Sequence, residues 1–465
     1  MALFVVRHQH APDRCPSQNP YVGAELLIHL SRPSAKKHGV RIQGEAVIQN
    51  EHAFYLIVEA ADESGLRAFL RPFQTAGSLE IYAASTFAHV VTSGGCTSSI
   101  PASELAAALD PEKACRQAID AGLVVHRAHP LNCETSLPAL VGGVVMPNAR
   151  FYVRNHFQIP LLDEAAFRLN VSGLVERPLA LSVRDLHNMR SQTLVATLEC
   201  AGNGRTLFDR PTPGEKWTLG AVSTAEWTGV PLVEVLDRAG VRADARDVVF
   251  RGADSGHVDD HDGSIRFERS LQIDRARDPN VLLAYAMNGE RLPVLHGQPV
   301  RLIVPGWYAV ASVKWLTEID VMNQAFTGYY QHDKYWYEYG RDGQIVRQPV
   351  TIQRVRALVT EPEPNVEVRR GEVAIRGVAW SGAAPIARVD VSVNGGDWQQ
   401  AHFVGERSRH SWLWWELIAR FDTTGVATIR ARAADMADRI QPEQAEWNRL
   451  GYGNNAVQTV PIRII

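Results

Sequence analysis

Residues 193–205 read TLVATLECAGNGR and carry the most informative cysteine of the chain. An apolar run ends at Cys200, after which Gly202 and Gly204 mark a turn that closes on Arg205. Glycines leave space beside the backbone. A thiolate is a ligand for soft or high-valent metal ions and must lose its proton to bind one. The stretch therefore indicates a strand that delivers a candidate metal ligand to a turn with room for a bulky group.

Two other interpretations of Cys200 stay open at this point. Free cysteine is among the most buried residue types, so Cys200 can be a structural core residue. A nucleophilic cysteine needs a nearby base, and the local sequence offers none. The five cysteines are odd in number, widely spaced and without a C-x-x-C pair, which argues against a disulfide framework and a structural zinc site.

Length and composition limit the classes of protein. A chain of 465 residues predicts about three domains. A formal net charge of -3 with 21% charged residues gives no general affinity for nucleic acid. No stretch has the ~20 consecutive apolar residues of a membrane span, and the N-terminus lacks the pattern of a secretory signal. We therefore expect a cytoplasmic protein without a membrane span.

The pattern of elements predicts an α+β chain with three domains and a linker. Residues 1–96 alternate in the order β-α-β-β-α-β of a ferredoxin-like domain, and residues 97–136 are expected to be a helical linker. Residues 137–350 mix short strands with occasional helices. Residues 351–465 are alternating strands with turn signals such as Asn394-Gly395-Gly396, which predict a β-sandwich.

Several motifs in sequence order resemble one family. They are YVRNHFQIP at 152–160, CAGN at 200–203, GAVSTAEWTGV at 220–230, HGQPVR at 296–301 and VKWL at 313–316. Together they resemble the molybdenum domain of the sulfite oxidase family. The later segments VAIRGVAWSG, RVDVSVNGG and SWLWWEL are similar to that family's immunoglobulin-like dimerisation domain. The resemblance covers roughly residues 137–465 and implies a homodimer.

The resemblance implies a single Mo-molybdopterin, with Cys200 as the protein's ligand to the metal. Arg301 and Lys314 suit a phosphate because both are cationic. The residues that match the family's cofactor-binding positions are Tyr152, Arg154, Asn155, His156, Asp254, His296, Arg301, Ser312, Val313 and Lys314.

The resemblance also implies a small oxyanion substrate such as sulfite. Guanidinium groups bind several oxygens of an oxyanion at once, which favours arginine over lysine. The matching positions besides Cys200 are Arg154, Arg205, Trp217 and Tyr335, and we expect Arg409 to reach the pocket from the sandwich. Tyr335 lies in an aromatic cluster, so packing is its alternative role.

The implied reaction is oxidation of sulfite to sulfate by oxygen-atom transfer, with electrons passing to an external acceptor. No haem motif is visible, so no haem is expected. Two alternatives remain: a nitrate or other oxyanion reductase built on the same centre, and a non-catalytic interaction protein in which Cys200 is structural.

Two positions depart from the family pattern. The CAGN motif is commonly followed by two basic residues, but Gly204 stands at the first of these positions. Lys334 stands where some relatives have an acid before the tyrosine. Both changes alter the charge expected near the substrate.

Overall fold

A computed structural model describes residues 2–10, 26, 28–48, 52–74, 77–84, 110–141, 143–160, 162–341 and 344–465. Cys15, Cys96 and the start of the expected linker lie outside these ranges. The chain forms two compact units, residues 1–98 and 99–465. It combines helices with a larger share of strands.

The first unit contains one antiparallel sheet with helices between its strands. The sheet order is β2-β3-β1-β4. Its core includes the fully buried side chains of Val6, Leu56, Leu66 and Phe69. The strands are β1 (Ala2–Gln9), β2 (Arg41–Ile48), β3 (Ala53–Ala60) and β4 (Ser78–Ala84), and the helices are Arg32–Lys37, Glu63–Phe69 and Arg71–Gln74.

The segment expected to be a helical linker contains strands as well as a helix. The Asp110 carboxylate accepts from the backbone N–H groups of Glu112 at 3.0 Å and Lys113 at 3.2 Å, and thereby caps helix Pro111–Asp120. An antiparallel hairpin follows, formed by β5 (Leu123–Arg127) and β6 (Asn132–Thr135). The helix and hairpin belong to the second unit.

Two five-stranded sheets form the centre of the second unit. One has the order β14-β13-β10-β9, with β15 also paired to β13, and the other has the order β12-β11-β16-β7-β8. The strands are β7 (Leu169–Gly173), β8 (Leu179–Leu181), β9 (Gln192–Glu199), β10 (Val222–Pro231), β11 (Asp247–Val258), β12 (His261–Gln272), β13 (Leu282–Met287), β14 (Glu290–Arg291), β15 (Arg301–Ile303) and β16 (Leu316–Met322).

Short helices and a second hairpin surround these sheets. The α-helices are Val183–His187, Leu232–Ala239, Ile273–Ala276 and Tyr329–His332. The 3-10 helices are Leu137–Leu140, Asn148–Arg150, Arg205–Leu207, Val294–His296 and Ala309–Ala311. The hairpin consists of β17 (Trp336–Arg341) and β18 (Gln344–Pro349).

The C-terminal part of this unit has two sheets around a shared apolar core. Their orders are β19-β21-β25-β24 and β20-β27-β26-β22-β23. Inward-facing side chains alternate along the strands; Trp415 and Ile429 are fully buried. The strands are β19 (Arg356–Glu361), β20 (Glu367–Val368), β21 (Gly371–Trp380), β22 (Ile386–Val393), β23 (Gln399–Gln400), β24 (His402–Val404), β25 (Leu413–Phe421), β26 (Gly425–Asp435) and β27 (Gln458–Ile464).

The described residues contain no helix that is both long and apolar enough to cross a membrane.

Candidate active site

Cys200 stands at the end of β9, where the strand pairing with β10 finishes. The backbone N–H of Cys200 donates to the carbonyl of Ala221 at 2.9 Å, and its carbonyl accepts from the N–H of Asn203 at 2.9 Å. These bonds fix both ends of the Cys200 backbone. The side chain of Cys200 lines a cavity that opens to solvent.

The cavity gathers side chains from distant parts of the chain. Predicted residues from the segments 152–156, 296–301 and 312–314 and from positions 254 and 335 contribute to its wall. The predicted residues that line it are Tyr152, Arg154, Asn155, His156, Cys200, Asp254, His296, Arg301, Ser312, Lys314 and Tyr335. Apolar residues such as Phe151 and Phe267 complete the wall.

Three basic side chains line this cavity: Arg301 is buried, and Arg154 and Lys314 are half-buried. In the part of the chain that the structure describes, Arg154, Arg301 and Lys314 have no ion pair with a carboxylate. They donate instead to neutral oxygens: Arg154 to Asn132 Oδ1 at 3.4 Å, Arg301 to the carbonyls of His296 at 2.8 Å and Ser312 at 3.2 Å, and Lys314 to Asn155 Oδ1 and to the Leu295 carbonyl at 3.0 Å. Basic side chains that form no ion pair favour the binding of an anion.

The pKa values of the lining residues reflect this burial. Burial, and then the neighbouring Arg301 charge, hold the pKa of Lys314 well below its usual range. Burial lowers the pKa of Arg301 to about 10, which leaves it charged at neutral pH. Burial raises the pKa of Asp254, and the Lys314 charge opposes that rise. A bound phosphate would favour the charged form of Lys314.

Two buried polar atoms in the wall lack a hydrogen-bond partner among the described residues. Arg301 Nε and Asp254 Oδ1 are buried, and neither has a hydrogen-bond partner within the described ranges. Buried polar groups in native proteins are nearly always paired, so such atoms indicate a ligand. A thiol, cationic groups and unpaired polar atoms in one cavity fit a molybdenum cofactor that carries a phosphate.

Near Cys200 the electrostatics are set by two arginines. Burial raises the pKa of the Cys200 thiol, and the charges of Arg154 and Arg205 oppose that rise. Ligation to a metal ion requires the thiolate, which these charges favour.

His156 and Tyr335 form a contact across the cavity. His156 Nε2 lies 2.7 Å from the Tyr335 hydroxyl. Burial, and then the Arg154 charge, hold the pKa of His156 well below its usual range, so the imidazole is neutral. Burial and the adjacent Tyr452 raise the pKa of Tyr335, so its phenol keeps its proton.

Four predicted site residues, Arg205, Trp217, Val313 and Arg409, are not part of the cavity wall. Arg205 is buried behind it and donates to the Glu215 carbonyl at 3.0 Å. Trp217 is fully buried, with its ring centroid 5.0 Å from that of His126. Val313 is a core residue whose carbonyl accepts from the Leu302 N–H at 2.8 Å.

Arg409 was expected to reach the pocket, and the structure places it elsewhere. It lines a separate depression with Arg407 and Ser411 in the C-terminal sandwich. The adjoining His410 carbonyl accepts from the Thr197 N–H at 2.8 Å, within β9 and before Cys200. This bond fixes the loop beside β9 three residues before Cys200, and Arg409 does not line the cavity.

Three residues near the site were missed by the sequence reasoning. Asn132 Oδ1 accepts from the Asn155 N–H at 2.7 Å and thereby orients the segment that carries Arg154. The Tyr452 ring stacks on Tyr335 with centroids 4.8 Å apart. The guanidinium of Arg269 lies 5.6 Å from the Tyr335 ring centroid. The polar Asn132 beside a cysteine in a strand-like run was the one available signal.

The structure accounts for the glycine at position 204. Gly204 has a φ of +80°, in the left-handed region that favours glycine. A Cβ at this position would lie 2.9 Å from Arg356 Nη2 and 3.2 Å from the Asn454 carbonyl oxygen. Arg356 is buried and pairs with Glu199 at 3.2 Å. A guanidinium from the sandwich therefore fills the space that a side chain at 204 would need.

Lys334, the second departure, points to the surface. Its Nζ lies 2.5 Å from an oxygen of Asp260, at the tip of the β11–β12 hairpin. The same carboxylate accepts from the Tyr329 hydroxyl. Lys334 is not among the residues that line the cavity.

Comparisons with known proteins agree with this geometry. The oxidoreductase molybdopterin binding domain matches residues 156–330, and the Mo-co oxidoreductase dimerisation domain matches residues 347–465. Sulfite oxidase of Arabidopsis thaliana is 32% identical over 372 residues, which are 74% of this chain and 94% of that protein. The chain belongs to the sulfite oxidase family. Mitochondrial sulfite oxidase of Mus musculus is 36% identical over 74% of this chain, and the chain spans 66% of the mouse protein's length.

Two further relatives show the range of the family. The crystal structure of the sulfane dehydrogenase SoxCD from Paracoccus pantotrophus superposes with a TM-score of 0.63 at 29% identity, over 71% of this chain and 83% of that chain. NADH nitrate reductase of Spinacia oleracea is 32% identical over 70% of this chain and 39% of that protein. Membership of a molybdoenzyme oxidoreductase family favours the enzyme hypothesis over a non-catalytic interaction protein.

Proposed function

We propose that this chain oxidises sulfite to sulfate at a molybdenum-molybdopterin centre ligated by Cys200, and that an external acceptor takes the electrons. The observation that carries the proposal is one cavity in which the Cys200 thiol meets the buried Arg301 and the half-buried Arg154 and Lys314, with no ion pair to any of the three among the described residues. When bound, the cofactor supplies two-electron redox and oxygen-atom transfer chemistry.

The cations divide into two groups by position along the wall. We assign Arg301 and Lys314 to the phosphate of the cofactor, because both line the cavity and are bonded to one segment, Arg301 to the His296 carbonyl and Lys314 to the Leu295 carbonyl. Phosphate binding by such groups is charge-assisted and strong. Arg154 is assigned to the substrate, because its charge acts directly on the Cys200 thiol.

His156 and Tyr335 give the substrate side its hydrogen-bonding character. The neutral His156 imidazole and the protonated Tyr335 phenol share one hydrogen bond at 2.7 Å. The second ring nitrogen of the imidazole can donate or accept a further hydrogen bond. Together with Arg154 they favour a small oxyanion. Arg205 is buried and does not line the cavity. We propose that its positive charge acts on the anion through the electrostatic field and not by contact.

A nitrate reductase is the second candidate, favoured by the similarity to the spinach enzyme. Turnover of sulfite with an artificial electron acceptor and turnover of nitrate with a donor should be measured on the same molybdenum-loaded preparation. The proposal predicts sulfite oxidation and negligible nitrate reduction. Nitrate reduction without sulfite oxidation would reverse the assignment.

The role of Arg154 is tested by Arg154→Met. Loss of one charge-assisted contact is expected to raise the KM for sulfite about tenfold to a hundredfold. The exposed Arg150, four residues earlier, gives the matched control Arg150→Met, whose KM should match wild type. Equal KM values for the two variants would remove Arg154 from the substrate site.

The architecture and assembly are proposed in finer detail. The order β2-β3-β1-β4 with intervening helices supports a ferredoxin-like first domain, and the two sheets around one core support an immunoglobulin-like sandwich. The dimerisation domain match supports a homodimer. The cytoplasmic location, the absence of haem and the domain bounds stay predictions.

A further inference from the structure

Arg269 is a buried cation that the proposed function does not use. It follows Phe267 by two positions on β12, so the two side chains share a face, and Phe267 lines the cavity. Arg269 is 3% exposed. Within the described ranges it has no ion pair, and its Nε has no hydrogen-bond partner. Burying an unpaired charge costs free energy of folding, which suggests that Arg269 is kept there for a function.

The contacts of Arg269 lead to Tyr335. One guanidinium nitrogen donates to the carbonyl of Tyr330, and the guanidinium carbon lies 5.6 Å from the Tyr335 ring centroid. Arginine over an aromatic face is attracted to the negative face of the ring. The interaction strengthens when both groups are removed from water, as they are here.

Tyr335 belongs to a stack that has an arginine at each ring. Its ring is parallel to that of Tyr452 within 15°, with centroids 4.8 Å apart. The guanidinium of Arg205 lies 5.3 Å from the Tyr452 ring centroid, as Arg269 does at 5.6 Å from Tyr335. The two tyrosines are therefore held by cation–π contacts from two different segments.

The backbone of Tyr335 needs such support. Its φ is +59°, in the left-handed region that is costly for a bulky residue. Its carbonyl accepts from the Val350 N–H at 2.9 Å, which fixes the backbone but not the ring. The ring must nevertheless hold its hydroxyl 2.7 Å from His156 in the cavity wall.

We propose that Arg269 is a positioning residue that holds the Tyr335 ring against Tyr452 and directs its hydroxyl to His156. This inference rests on the proposed function, since Tyr335 faces the proposed substrate. Arg269 does not line the cavity, so it acts through Tyr335 and not on the substrate. Removing it should leave the cofactor bound while the phenol loses its fixed orientation.

A double-mutant cycle tests this coupling in the molybdenum-loaded protein. Arg269→Met is expected to lower kcat for sulfite about tenfold at unchanged molybdenum content. In a Tyr335→Phe background the same change should lower kcat less than about twofold, because the group being positioned is gone. Equal losses in both backgrounds would overturn the proposal. Arg269→Lys keeps the charge without the planar group and should fall between wild type and Arg269→Met.

Arg275 supplies the matched control. It is also an arginine over an aromatic ring, 5.7 Å from the Trp307 centroid, and it lies half-buried on the helix Ile273–Ala276 that follows β12. Arg275→Met should leave kcat within about twofold of wild type. A loss equal to that of Arg269→Met would mean that general destabilisation explains both.

A second measurement does not depend on sulfite turnover. 3-Fluorotyrosine placed at position 335 gives a fluorine NMR resonance that reports the surroundings of this ring. The resonance should move and broaden in Arg269→Met and stay in place in Arg275→Met. An unmoved resonance would contradict the inference even if sulfite oxidation is confirmed, and a moved resonance in a protein that does not oxidise sulfite would refute only the proposed function. If Arg269→Met does not fold, Arg269→Lys is measured in its place, with the same resonance shift expected.

Discussion

Replacing Arg356 by methionine is expected to lower the free energy of unfolding by about 3 kcal/mol. Arg356 and Glu199 form an ion pair at 3.2 Å between β19 and β9, and both side chains are almost fully buried. Removing the cation leaves a buried carboxylate without a counter-ion, which typically costs about 3–5 kcal/mol. We expect the lower end because the carboxylate keeps two donors, Trp380 Nε1 at 2.9 Å and Asn203 Nδ2 at 3.0 Å.

The pH dependence of this loss has a definite sign. Burial raises the pKa of Glu199, and the Arg356 charge opposes that rise most strongly. In Arg356→Met the pKa therefore rises further. A carboxyl with a raised folded-state pKa favours folding at low pH, and this contribution is lost as the pH rises through the folded-state pKa. The loss in Arg356→Met should thus be largest at neutral pH and shrink as the solution is acidified.

Urea unfolding at neutral and at acid pH measures both effects. The matched control is Arg376→Met, which removes an arginine paired with Glu361 at 3.2 Å and Glu416 at 2.6 Å on the exposed side of the same domain. Exposed pairs contribute at most about 1 kcal/mol. The double variant Glu199→Gln with Arg356→Met should be more stable than Arg356→Met alone. Equal losses for Arg356→Met and Arg376→Met, or a loss independent of pH, would contradict a stabilising buried pair of Arg356 and Glu199.

Two further predictions concern stability at defined positions. Gly204→Ala should lower the free energy of unfolding by more than about 1 kcal/mol, because its φ is +80° and the new Cβ would lie 2.9 Å from Arg356 Nη2; Gly395→Ala, at φ +71° with no atom within 4 Å, should lose less in the same urea titration. Burial and the charge of neighbouring Arg409 lower the pKa of His410 to about 4, so the stability it contributes is full above about pH 6.5 and lost as the pH falls toward 4. The urea midpoint of His410→Gln should therefore fall less steeply over this pH range than that of wild type. The midpoint of the exposed-site variant His402→Gln should follow wild type. Parallel curves for all three proteins would contradict the role of His410 in the pH dependence.

The sequence predicted the parts of the site that lie in short, contiguous motifs. Residues 152–156, 200–203 and 312–314 each place several functional groups within a few positions, and the fold brings all three segments to one cavity. The mixture of helices and strands also followed from local periodicity. Motifs of this kind depend little on the rest of the chain.

Contacts between distant segments could not be predicted in this way. Tyr452 reaches Tyr335 only because the sandwich packs on the central sheets, and no local pattern reports that packing. Arg269 occupies an inward position of β12, where alternation predicts an apolar residue, so a charged side chain there is assigned to the surface by default. The predicted position of Arg409 in the pocket differs from the structure for the same reason, since the direction of its loop depends on the bond between His410 and Thr197.

Metal analysis of the purified protein and of Cys200→Ser tests whether Cys200 ligates molybdenum. Both proteins should be expressed with cofactor supply in excess, and their folds compared by circular dichroism. We expect close to stoichiometric molybdenum and pterin in wild type, and loss of molybdenum from Cys200→Ser while the fold is retained. Equal molybdenum in the two proteins, or none in wild type, would contradict it.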